Sequence, residues 1–407
     1  MESIQSSGMR QLPVRLWAAI HLPTFRTITY FARDILKTID SSEPATVQAT
    51  IKGFYPFIHL LRGIAPLIVV WSHLAFLFLY ERKIADWEPA QIWWSYFVIP
   101  LRLYLHAGHL GVVVFFFVSG FIITYASLRE TRYEFAIKRV FRIFPVLGVA
   151  LLLAFSVRLI AATLNIGTLP GLQSSTPVEY IQSFFLLDML IGYPQALPVT
   201  WTLTTEIFFY VLTFAFLSMS KRDAAVATYW MIAVWVVISM VEGGAASLSH
   251  LRTYSDFVGL LLIGRIVYLA DSGVVGWRKC APMLLLVVTL FVAFYMSTKP
   301  GGLTYEKMEP AFTYLYGFGI FTAAMTLAPH RIPRFFAFLA DISLSLYLLH
   351  LPVGMFAVAL LHAQGVPFTL AFLAGTAISI LASWAAFWCV ELPSQRFARR
   401  LVHGLKL

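Results

Sequence analysis

Apolar residues in this chain gather into long runs broken by short polar segments, not into the alternating stretches of a half-buried strand. Runs long enough to cross a bilayer as helices are expected near 55–79, 109–126, 144–163, 200–218, 225–241, 254–270, 281–297, 311–328, 342–361 and 368–390. Several are short or interrupted by Gly or Pro, which bundles tolerate when neighbours satisfy the freed backbone groups. The pattern predicts an all-α fold, a polytopic transmembrane helix bundle of about ten spans. Two stretches are ambiguous. Residues 92–105 are rich in Trp and Tyr and read as an interfacial or re-entrant element or an extra span, and 177–191 is a similar case.

Ahead of the first run, residues 1–52 form a basic arm. From Thr24 to Asp40, Ile28, Phe31, Ile35 and Ile39 share one helical face, while Arg26, Arg33 and Lys37 lie on others. That predicts an amphipathic helix with Thr24 as N-cap, lying on the membrane surface or docked on the bundle. Residues 53–395 then form the membrane domain and 396–407 a basic tail.

Composition sharpens this picture in one respect. Of 407 residues 59% are hydrophobic and only 12% charged, about half the charged share of a soluble protein. The net charge of +10 has a membrane explanation, because Lys and Arg collect on one side. With the N-terminus inside, the inner segments hold 21 of them. The outer segments hold six: Arg82, Lys83, Arg102, Arg252, Lys299 and Lys307. Both termini are therefore expected in the cytoplasm, and nucleic acid is not an expected partner. Cys280 and Cys389 sit at or inside apolar runs and read as packing residues; no metal-ligand or disulfide spacing is present.

Candidate chemistry lies inside the runs, where ionisable residues mark function by default. Arg62 and His73 are eleven residues apart on the first span, close to three full turns, so both project from one face about 16 Å apart along the axis. Pro66 between them cannot bond the Arg62 carbonyl and predicts a kink. His73 has the unperturbed pKa of a general base at neutral pH, or it is simply a neutral histidine satisfied by a carbonyl. Ser119-Gly120 offers a hydroxyl and a close backbone approach in mid-membrane, or tight helix packing. Lys138, Arg139 and Arg142 form a basic cluster at the inner surface, suited to phosphate or to simple anchoring. Glu206 sits amid the hydroxyls of Thr200-Trp-Thr-Leu-Thr-Thr, either as an acid or base or as half of a buried pair with Arg265. Tyr347 and His350 are adjacent on one face, and Val390-Glu-Leu-Pro393 closes the last span.

In order along the chain, these motifs resemble the acyltransferase-3 family of integral membrane acyltransferases. The resemblance is carried by Leu61-Arg-Gly-Ile-Ala65 with the Arg62–His73 spacing, by Gly111-Val and Phe116-Phe-Val-Ser-Gly-Phe121, and by Lys138-Arg139-x-x-Arg142-Ile-x-Pro145. It continues through Trp201-Thr-Leu-x-x-Glu206-x-x-Phe-Tyr210, Ser343-x-Ser-Leu-Tyr-x-x-His350 and Val390-Glu-x-Pro393. Thr202 stands where Ser is common, and Ile207 where a second acid often follows.

The resemblance implies transfer of an acyl group, usually acetyl from acetyl-CoA, to a hydroxyl of a cell-surface or lipid-linked carbohydrate, in a bacterial inner membrane. It implies His73 as the essential histidine and Arg62 as its partner. On this view His73, Arg62, Ser119 and Glu206 are the catalytic candidates. Lys138, Arg139, Arg142 and Gly120 hold acyl-CoA, and Trp201, Tyr210, Tyr347 and His350 line the acceptor site. Expected partners are acyl-CoA, a carbohydrate or glycolipid acceptor and membrane lipids, with no metal and with homo-oligomers left open. A transporter or flippase of a glycan precursor would need similar buried polar residues, but the hydropathy shows no internal repeat of the kind transporters often carry.

Overall fold

The computed structural model describes residues 55–84, 87–172, 176–187, 195–240, 254–297, 305–327 and 331–405. The amphipathic helix expected within 24–40 lies outside the described residues. The principal helices are α1 (Pro56–Glu81), α2 (Gly108–Ser127), α3 (Arg132–Thr163), α4 (Thr200–Ala215) and α5 (Ala224–Met240). They are followed by α6 (Val258–Asp271), α7 (Trp277–Ser297), α8 (Tyr305–Leu327), α9 (Ser343–Ala363) and α10 (Phe368–Gly404). Each expected run falls on one of these helices, and the described residues contain no strand. Six of them, α1, α2, α3, α7, α9 and α10, are long and apolar enough to cross a membrane.

Local sequence explains the helix limits. Thr131 and Glu134 form a capping box that starts α3: Thr131 Oγ1 accepts from the Glu134 amide at 3.2 Å, and the Glu134 carboxylate accepts from the Thr131 amide at 3.3 Å. The basic tail continues α10 as helix to Gly404. The ambiguous 92–105 stretch does not span. It is a set of short helical pieces over 88–101, ended by left-handed Arg102 and followed by left-handed Leu105, His106 and Ala107. Of the 177–191 stretch, the structure describes a capped helix, Pro177–Phe184.

The bundle is centred on α2. In α2, 78% of the apolar window is buried, against 28% in α7 and α10, which therefore lie at the perimeter. Helix α2 packs most extensively on α6, then on α1 and α8. The α2–α6 crossing depends on small residues facing each other: a Cβ on Gly120 would overlap the Leu261 carbonyl, and one on Gly264 would overlap the Phe117 carbonyl. Gly120 lies against the backbone of α6, which fills the space its missing Cβ leaves. Gly120→Ala is expected to destabilise the protein by about 1–3 kcal/mol, because backbone on both sides must give way. Gly319→Ala, where nothing lies within 4 Å, is expected to unfold no earlier than the parent. Thermal unfolding in detergent checks both. Cys280 is buried as packing requires, whereas Cys389 is exposed on α10.

Two spans leave α-helical geometry at facing positions. Helix α1 runs through Pro66 without leaving the α conformation, then widens into a π-helical segment at Ser72–Leu77. Helix α9 does the same at His350–Met355, where Pro352 lacks the amide to bond four residues back. Such bulges inside helices occur frequently at functional sites. The two segments pack against each other, and His73 and His350 belong to them.

Candidate functional site

Arg62 of α1 faces inward. Arg62 lines a narrow internal cavity with Ala65, Pro66 and Val69 of its own helix. Phe115 of α2, Arg142 of α3, Glu206 of α4 and Ser343 and Tyr347 of α9 close it, and its 20 Å³ is room for about one water molecule. Arg62 donates from Nη2 to Ser343 Oγ at 3.0 Å. Neither Arg62 nor Arg142 has a carboxylate within ion-pair distance among the described residues. Two guanidinium groups therefore share one cavity with Glu206 as its single lining carboxylate.

The remainder of the basic cluster has a different setting. Lys138 pairs with Glu130 at 3.1 Å and Glu134 at 2.6 Å, and Arg139 pairs with Glu130 at 3.1 Å. Arg139 also lies over the rings of Phe135 and Tyr210. Lys138 and Arg139 are thus paired with neighbouring acids and do not line the cavity. Arg142, one turn further along α3, is the cation that does.

Glu206 is buried and accepts a 2.6 Å hydrogen bond from the Tyr210 hydroxyl, one turn away on α4. Tyr210 therefore serves the carboxylate, and its hydroxyl is already committed. The expected Glu206–Arg265 pair does not form. Arg265 is fully buried and donates to Thr228 Oγ1 and Ser220 Oγ, each at 3.0 Å. Trp201 packs on Phe116 and Phe257. Ser119 is buried in α2 and is not among the residues lining the cavity.

Above the cavity, one turn beyond Val69, stands His73. Its Nδ1 lies 2.8 Å from His350 Nε2, with the two rings nearly parallel at 11°. His73 keeps partial exposure while His350 is 0% exposed. His350 Nδ1 is 3.1 Å from the Leu346 carbonyl oxygen, so both nitrogens of His350 are engaged. Tyr347 connects the two halves of the site. Its ring borders the cavity and approaches His350 with centroids 6.1 Å apart. Its hydroxyl accepts from Thr202 Oγ1 at 2.9 Å and donates to the Val199 carbonyl at 3.3 Å.

Sequence reasoning missed the fixing of α9 by α10. Ser345 donates to the buried Glu391 at 2.7 Å, and Gln395 donates to the same carboxylate at 3.2 Å. A carboxylate beside Pro393 at the end of an apolar run was the available signal. The C-terminal end of α1 is fixed likewise: Arg82 donates to the carbonyls of Ile166 and Thr168, and Ser72 Oγ donates to the Leu105 carbonyl at 3.0 Å.

A protein-family model described as an acyltransferase domain matches residues 55–388. No curated protein matches the chain, and no solved structure does.

Proposed function

Because the chain belongs to the acyltransferase-3 family of membrane acyltransferases, we propose that it moves an acyl group, acetyl in the first instance, from acyl-CoA to a hydroxyl of a cell-surface or lipid-linked carbohydrate, with His73 as the general base. The observation that carries this reading is that α1 brings Arg62 to an internal cavity bordered by Val69, one helical turn before the partly exposed His73. Ten spans with both termini in the cytoplasm of a bacterial inner membrane are part of this proposal, and the concentration of Lys and Arg on alternate segments supports the orientation.

Acyl-CoA carries several negative charges and cannot enter lipid bare. Arg142 and Arg62, with no carboxylate within ion-pair distance among the described residues, are the cations suited to its phosphates. The thin pantetheine arm then follows α1 from Arg62 past Val69 to His73. With room for about one water, the cavity must widen for this, which requires α1, α3 and α9 to part. The acceptor hydroxyl gives its proton to His73 as its oxygen bonds the thioester carbonyl carbon. The carbon–sulfur bond then breaks, and the CoA thiolate takes the proton back from His73. Direct transfer is the route we favour, because Ser119 is off the cavity wall and offers no nucleophile there.

The test uses purified protein in liposomes, radiolabelled acetyl-CoA and a glycan preparation from the producing cell. Label is expected to enter glycan with release of an equal amount of CoA. Label retained on protein when glycan is omitted would overturn direct transfer. Failure of CoA to raise the thermal midpoint, together with glycan movement and no label transfer, would favour a transporter.

A further inference from the structure

We propose that His350 is a positioning residue that, through the Leu346 carbonyl, decides which nitrogen of His73 is basic. The inference rests on reading His73 as the general base and adds the tautomer in which it works.

The argument is a count of protons. The Leu346 carbonyl oxygen only accepts, so His350 Nδ1, 3.1 Å away, must carry the hydrogen. A neutral imidazole carries a single N–H, which leaves a lone pair on His350 Nε2. That lone pair faces His73 Nδ1 at 2.8 Å. Two lone pairs at this distance would repel, so His73 Nδ1 carries a hydrogen and donates it. Neutral His73 is then left with its lone pair on Nε2, the nitrogen turned away from His350. The same oxygen also accepts the His350 backbone amide, which fixes the ring at the start of its π-helical segment.

The arrangement has a second consequence. When His73 Nε2 takes the alcohol proton, the imidazolium still donates Nδ1–H to a neutral acceptor held in place beforehand, so no side chain must reorient in the transition state. Neutral histidine more commonly carries its proton on Nε2, and without His350 the basic nitrogen would point the wrong way. The near-parallel rings, with centroids 5.1 Å apart, suit an in-plane N–H···N hydrogen bond, which a flip of His73 would break.

Two substitutions separate this role from mere packing. His350→Gln places an amide oxygen near the site of Nε2 and can still accept from His73. His350→Phe keeps the volume and the ring but offers no acceptor. Assayed in liposomes, His350→Phe is expected to lower kcat about 100-fold with KM for acyl-CoA changed less than about threefold, and His350→Gln to recover to within about tenfold of the parent. Nitrogen-15 spectra of histidine-labelled protein are expected to show His73 with a protonated Nδ1 and a bare Nε2. Parent protein with the proton on Nε2 would overturn the proposal, and so would a folded His350→Phe variant with parental kcat. If His350→Phe fails to fold, the His350→Gln kinetics and the spectrum of the parent still decide. Should His73→Ala retain acyl transfer, the reading of His73 as base falls; should it abolish transfer while His350→Phe does not, only the present inference falls.

Discussion

Replacing His73 by alanine is expected to reduce acyl transfer about 100- to 10,000-fold, the usual range for loss of a positioned general base. The fold should survive. His73 is only partly buried, and its hydrogen-bond partner His350 retains the Leu346 carbonyl. Truncation leaves His350 Nε2 without its donor, a cost of about 1–3 kcal/mol if water does not replace it. That is within reach of a bundle whose centre, α2, is untouched. Acyl transfer and CoA release measured on detergent-purified protein, with the thermal midpoint recorded alongside, separate lost chemistry from lost structure. Parental turnover in a folded His73→Ala protein would remove the base from the account.

Arg142 and Lys138 lie one turn apart on α3 and should behave very differently. Arg142 lines the cavity with no carboxylate within ion-pair distance among the described residues, so its charge is available to an anion. Arg142→Ala is expected to weaken CoA binding about 10- to 100-fold, corresponding to the loss of one or two charge-assisted hydrogen bonds. Lys138 is held by Glu130 and Glu134, and its removal breaks a partly exposed pair of small worth. Lys138→Ala should change CoA affinity by less than about threefold. Titration calorimetry of CoA into the two variants tests the contrast. Equal losses at both positions would return the phosphate site to the whole basic cluster of Lys138, Arg139 and Arg142.

The comparison of α3 with its sequence shows where reading the chain alone stopped. Glu134 stands four residues before Lys138, the spacing of a helical ion pair, and Glu130 eight before it. The neutralisation was therefore legible, and grouping Lys138, Arg139 and Arg142 by sign alone hid it. The positions of the helices were legible because burial in lipid demands long apolar runs, and each run became a helix. The inward face of Arg62 was legible from helical periodicity. The His73–His350 contact was not, because 277 residues separate the pair and each histidine taken singly fits a satisfied core residue equally well. The partners of Arg265 were not legible either: charge alone pairs it with Glu206, whereas the hydroxyls of Thr228 and Ser220, 37 and 45 residues away, take its hydrogen bonds. Gly120 was ambiguous for a physical reason: a backbone approached by a ligand and one approached by another helix need the same missing Cβ, and only the position of Leu261 decides.

The most direct test of the central claim is an experimental structure of the protein in lipid nanodiscs with a non-hydrolysable acetyl-CoA analogue. The account predicts the CoA phosphates against Arg62 and Arg142, and the analogue's carbonyl carbon close enough to His73 Nε2 for an alcohol oxygen to sit between them, about 3–3.5 Å from the carbon. An analogue bound elsewhere, or bound with its thioester end on the far side of α1 from His73, would contradict it.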